Sequence, residues 1–233
     1  MRRPRRPIVA EVAALGVVAL YNVVAHRHIP RRARIVANVG AATVLVTVAR
    51  AAGLRGPELG LGRAELRRGA RVGALAAVPV VAGVGTALAI PRARALLSDD
   101  KITGTQPGEA AFETFVRIPL ETALSEEVIF RGVLLGLALR NRSTLGAVVS
   151  SSLWFGLWHV YPTVGSLGRG AGGGAGNGGR GARAGATAGV VAATTAAGLG
   201  FAGLRLGSGS VAAPVLAHAA LNMAAFAGVR VLT

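Results

Sequence analysis

An all-α, polytopic transmembrane bundle of about seven to eight spans is the fold class this 233-residue sequence predicts, and three observations predict it. The residues are 52% hydrophobic and only 15% charged, with a mean hydropathy of +0.53, which is too apolar for a soluble domain. The apolar residues fall into runs of about twenty, the length at which a helix crosses a hydrocarbon core. Three ionisable residues, Glu126, Glu127 and Arg131, lie inside one such run, Leu120 to Leu139. Charge at that depth is costly, so it marks a functional site by default.

Cysteine is absent, which removes disulfides, thiolate nucleophiles and cysteine metal ligands, and leaves any chemistry to histidine and carboxylates. The formal charge of +16 comes mostly from arginines between or before the apolar runs. That placement suits anionic lipid headgroups, so membrane lipid is an expected partner and nucleic acid is not.

The first span is Ile8 to Ala25, behind the basic cluster Arg2-Arg3-Pro4-Arg5-Arg6. It reads as a retained helix rather than a cleaved signal, because His26-Arg27-His28 is no small-residue cleavage site. Glu11 is expected near the interface, paired with one of the nearby arginines. A second span covers Ile35 to Leu54. The basic linker after it, Arg55 to Arg71, is expected to carry a short surface helix at Arg63 to Arg68. The third span, Val72 to Ile90, has Pro79 at its middle, which a helix tolerates in lipid when neighbours satisfy the freed carbonyl.

Ser98 to Gly108 reads as a loop, with Asp99, Asp100 and Lys101 beside Gly104 and Pro107. Glu113, Arg117 and Glu121 then recur every four residues and form a charged stripe leading into the central run. Pro119 inside that stretch predicts a kink, or a boundary after an interfacial helix at about Glu109 to Ile118 that would make the eighth span. The fifth span, Thr144 to Tyr161, holds Trp154, Trp158 and Tyr161 as an aromatic belt. A glycine-rich stretch, 165–185, reads as a flexible linker. Ala186 to Leu204 and Val211 to Val229 are the last two spans. Two regions result: residues 1–110, N-terminal transmembrane helices and basic loops, and residues 111–233, the core that carries the polar groups. The expected location is the cell membrane, multi-pass. The basic residues divide almost evenly between the two sides, and the N-terminal cluster is what favours a cytoplasmic N-terminus.

Helical spacing brings Glu127 and Arg131 onto one face, where they pair. Glu126 is turned about 100° away and is expected to meet His159 or His218 from other helices. Several intramembrane chemistries do not fit. A His-Glu-x-x-His zinc site needs two histidines one turn apart, and neither His159 nor His218 has such a neighbour. An aspartyl dyad needs aspartates on separate helices, whereas Asp99 and Asp100 are adjacent. A Gly-x-Ser-Gly turn of the rhomboid kind lacks its first glycine at Leu206-Gly207-Ser208-Gly209.

What remains is Glu126-Glu127-x-x-x-Arg131, Phe155-x-x-x-His159 and His218-x-x-x-Asn222, in that order on three hydrophobic segments. This constellation resembles the CPBP family of intramembrane proteases, which includes the type II CAAX prenyl endopeptidases and the abortive-infection and bacteriocin-immunity proteins. The likeness covers roughly Leu120 to Asn222, and the glycine-rich insert departs from it.

The resemblance implies an intramembrane endopeptidase in which Glu126 and His159 activate water while His218 and Asn222 stabilise the oxyanion at the scissile carbonyl. Glu127 and Arg131 would fix the helix or the end of the substrate, and Phe155 would pack. No cofactor is favoured. Zinc is the alternative, held by Glu126, His159 and His218, with Glu127 the remaining carboxylate. Against zinc stand Asn222, a poor ligand for that ion, and the nearer partner that Glu127 has in Arg131. The expected substrate is a membrane-associated peptide or protein, prenylated or not. The Ala, Gly and Arg bias suggests a GC-rich bacterial genome and so favours an unprenylated substrate. The alternative function is non-enzymatic: a bacteriocin-immunity-like or regulatory membrane protein.

Overall fold

The computed structural model describes residues 5–97, 100–169 and 179–232, and among them every regular element is helical. Helix α1, Arg5–His28, ends on His26, Arg27 and His28, cations that the negative end of the helix dipole favours. Pro30 and a 3₁₀ turn, Arg31–Ala33, lead into α2, Arg34–Ala51. Helix α3, Arg63–Ala89, contains Pro79 and stops where Ile90 turns extended before Pro91. The separate surface helix expected at Arg63 to Arg68 is therefore the first turns of α3. No breaker intervenes except Gly69, whose bare Cα lets Ser210 come close. Two short helices follow, α4, Pro91–Leu97, and α5, Asp100–Thr103. Ser98 and Asp99 of the expected loop lie outside the described residues.

Residues 107–141 form one long central helix, α6. It opens α-helical at Pro107–Phe112, widens into π-helix over Glu113–Leu124 and again over Val128–Leu134, and closes α-helical at Leu135–Asn141. The division expected at Pro119 does not occur. Proline has no N–H to donate, and a run of wide i→i+5 turns carries the chain past it. Helix α7, Thr144–Trp158, is N-capped by Ser143 and ends at His159, after which α8, Val160–Arg169, begins. Helices α9, Arg180–Ser208, and α10, Ala212–Leu232, complete the fold. Of the glycine-rich stretch 165–185, the two ends belong to α8 and α9. Residues 170–178 lie outside the described residues.

Among the described residues five helices are long and apolar enough to cross a membrane: α1, α2, α3, α9 and α10. The central helix α6 packs against α1, α2, α7, α9 and α10. Leu45, Ile129, Phe130, Val133, Leu137 and Phe155 make the core around it, while Val12, Leu20, Val36, Leu75, Val78 and Val231 point outward. Apolar groups on the outside and charged ones within suit lipid as the solvent. The chain is a multi-pass membrane protein.

The helices run alternately up and down, so the N-terminus of α1, the loop 52–62, the α6–α7 turn and the α9–α10 turn share one end. Glu11 is held there by Asn141 at 2.7 Å and by Arg142 rather than by a cation of its own segment. Glu58 binds Arg140 at 2.5 Å, and Arg205 donates to the Glu58 carbonyl at 2.9 Å. At the opposite end Arg31 reaches Glu113 at 2.7 Å, and Arg117 bridges Glu113 and Glu121 at 2.7 and 2.6 Å. The charged stripe is thus satisfied along its length.

Candidate active site

The expected pair forms: Arg131 Nη1 lies 3.1 Å from Glu127 Oε1, and both side chains are 0% exposed. The same carboxylate oxygen receives His218 Nδ1 at 2.8 Å, so His218 meets Glu127, not Glu126. The Arg131 guanidinium sits over the Phe155 ring, 4.1 Å from its centroid, and faces Phe201 at 5.3 Å. Stacking on aromatic faces offsets part of the cost of burying a cation. Gly198 leaves the space the guanidinium fills, since a Cβ there would come within 2.9 Å of Arg131 Nη2.

Glu126 points elsewhere, as its one-residue offset requires. Its Oε1 accepts from Trp158 Nε1 at 3.1 Å, and its Oε2 is buried without a partner among the described residues. Trp158 is itself buried, stacks on Tyr21 and meets Phe130 edge-on. Sequence reasoning assigned this residue to an interfacial belt. Its position next to His159 was the available signal, since a helix end that presents His159 to a cavity carries its neighbour there too.

His159 takes the C-cap of α7, and its Nδ1 lies 2.8 Å from the Phe155 carbonyl oxygen. A carbonyl only accepts, so Nδ1 carries a proton, and in the neutral ring Nε2 is the lone-pair acceptor. Glu126, Trp158 and His159 together line a cavity of about 240 Å³, with Ala25, His26, Arg34, Asn38, Glu121, Thr122 and Pro162. The structure therefore gathers two groups: Glu126 with His159 at a cavity, and Glu127 with Arg131 and His218 in a dry cluster beside it. Phe155 joins them, its ring 4.8 Å from that of His159 and 5.8 Å from that of His218. Asn222 lies one turn beyond His218 on α10, half-buried, with no hydrogen bond among the described residues.

No group of three His, Asp or Glu side chains among the described residues is placed to hold a metal ion. Glu126, His159 and His218 do not form such a group.

Residues 109–224 match the family model for type II CAAX prenyl endopeptidase, Rce1-like. No curated protein and no solved structure matches the chain. The matched segment begins in the first turn of α6 and ends just past Asn222, so it spans all three motifs and the cavity wall they build. By that match and those motifs the chain belongs to the Rce1-like group of type II CAAX prenyl endopeptidases, a family of intramembrane proteases.

Proposed function

We propose that the protein hydrolyses a peptide bond of a membrane-associated substrate with water activated by Glu126 and His159, without a metal. The observation that carries this reading is the shared cavity. Glu126 and His159 both line it, Glu126 Oε2 is buried without a partner among the described residues, and with His159 Nδ1 on a carbonyl it is Nε2 of the neutral ring that can accept. A water between a carboxylate and an imidazole acceptor gives up a proton as its oxygen attacks the scissile carbonyl. The carbonyl carbon becomes tetrahedral, and its oxygen takes the negative charge. His218 and Asn222 stabilise that oxyanion, as the family resemblance implies, with His218 oriented by Glu127. Collapse breaks the C–N bond, and the proton passes through Glu126 to the leaving amine.

Glu126→Gln is nearly isosteric and removes only the proton acceptor. Peptide cleavage by purified protein in proteoliposomes is expected to fall by at least about a hundredfold, with detergent stability near wild type. Undiminished cleavage by this variant would defeat the proposal.

The partners in this reading are a peptide or protein substrate and membrane lipid, and the N-terminus is cytoplasmic. An unprenylated bacterial membrane peptide is the first choice of substrate. One observation favours a lipidated substrate instead. A mostly apolar groove of about 200 Å³ lies between α2 and α6, lined by Val39, Ala42, Thr43, Val46, Leu124, Ser125 and Val128, the last three within two residues of Glu126 in sequence. Cleavage of one peptide with and without a farnesyl group separates the two. Equal rates are expected, and a strict need for the lipid would transfer the assignment to the groove.

A further inference from the structure

A second cavity adjoins the one at Glu126. It is larger, about 470 Å³, and is lined by His26, Arg27, Arg34, Tyr161, Pro162, Val164 and Gly165. The two share His26, Arg34 and Pro162 in their walls. Their charge differs in sign. The inner cavity carries Glu121, Glu126 and the shared Arg34, whereas the outer one carries Arg27 and Arg34 and no carboxylate.

The carboxylates near this end are committed to other cations. Glu109 and Glu113 bind Arg31, and Glu113 and Glu121 bind Arg117. Arg27 donates to the Tyr161 hydroxyl and Arg34 to the Ile29 carbonyl, 3.3 Å away. Neither forms a salt bridge among the described residues. Each guanidinium has five N–H donors in a planar fork, so most of the donors on both are left for something else. The rest of the wall is His26, Tyr161, Pro162, Val164 and Gly165, with no carboxylate among them to compete for the guanidinium groups.

We infer that this basic mouth is a subsite for a carboxylate of the peptide substrate, which Arg27 and Arg34 hold while the scissile bond lies inward at Glu126 and His159. The inference rests on the peptidase reading, since it names what the substrate must carry. Charge-assisted guanidinium–carboxylate bonds are short, directional and about twice as strong as neutral ones. A carboxylate seated there fixes the register of the chain relative to the water-activating pair, and a cationic or amidated end is disfavoured.

The test uses fluorescently labelled peptides of one sequence, titrated into Glu126→Gln protein in nanodiscs of neutral lipid. One peptide keeps all its carboxylates, one has its C-terminus amidated, and one has its acidic side chains replaced by amides. Loss of the recognised carboxylate is expected to weaken binding about tenfold or more, and the arm that weakens shows which carboxylate is read. Arg27→Gln with Arg34→Gln is expected to abolish the preference, whereas Arg27→Lys with Arg34→Lys keeps most of it. Thermal denaturation of each variant identifies a fold that has simply failed, and the peptide comparison in the unaltered mouth stands without them. Equal affinities for the three peptides, no binding of any, or a preference that survives the double glutamine variant would each overturn the subsite. So would a double variant that changes only the retention of anionic lipid, which would make the mouth a headgroup site. Binding is read on protein that does not cleave, so wild type that hydrolyses none of the peptides counts against the peptidase reading alone.

Discussion

Glu126 and Glu127 are neighbours in sequence with opposite surroundings, and the difference follows from one residue of helical rotation. Each has one buried oxygen without a partner among the described residues, but Glu127 is enclosed, with Arg131 and His218 on its other oxygen, while Glu126 lines the cavity and accepts from Trp158. The pairing of Glu127 with Arg131 was legible from the four-residue spacing alone. The partner of Glu126 was not, because the choice between His159, His218 and an indole depends on how three helices are rotated, which local spacing does not record. Removing Arg131 leaves the buried Glu127 carboxylate with His218 alone, and breaking a buried pair costs about 3–5 kcal/mol. Arg131→Ala is therefore expected to lower the midpoint of thermal unfolding in detergent well below that of Glu126→Gln. Equal midpoints would mean that Phe155 and Phe201, not the charge, hold that part of the core together.

At the scale of elements, apolar runs fixed the existence of the long helices, and the breakers misled about their ends. Pro119 lies within α6 without dividing it, and Arg63 to Arg68 is continuous with α3, since polarity along a helix is compatible with helix when only one side faces a neighbour. Helix contacts depend on small residues that sequence reasoning left unremarked, as close backbone approach in lipid requires. At Gly156, on α7, an added Cβ would meet the Thr195 hydroxyl and come within 2.8 Å of the Val191 carbonyl oxygen on α9. Backbone cannot yield as a side-chain tip can. Gly156→Ala is expected to cost about 1–3 kcal/mol through overpacking and to reduce activity by displacing His159, one turn further along. At Gly200, where nothing lies within 4 Å, the same change should be close to silent. Matching losses at both positions, measured by thermal unfolding, would remove the packing explanation.

Across the whole molecule the two ends differ. The loop 52–62 folds back into the end that carries the N-terminus, burying Leu54 and Leu59 against α6. Gly60, at φ +69°, offers its carbonyl to the amide of Val211 at 3.1 Å. Burial alone would raise the Glu58 carboxyl, but the Arg55 amide and the Arg140 guanidinium outweigh it and hold the group below its ordinary value. Because the folded value lies below the unfolded one, this contribution is present above the ordinary carboxylate range. It is lost as pH falls through the lowered folded value. The stability advantage of wild type over Glu58→Gln is accordingly expected to shrink on acidification, as read from unfolding midpoints at successive pH. A difference independent of pH would show that the clamp works by shape instead of charge.

That loop has a consequence for traffic. The cavities lined by His26, Arg34 and Glu126 lie at the far end from the loop. On the proposed peptidase reading, a peptide that enters there and the fragment that leaves use the same end of the bundle. The orientation of α1 at insertion would then decide in which compartment the released fragment is found.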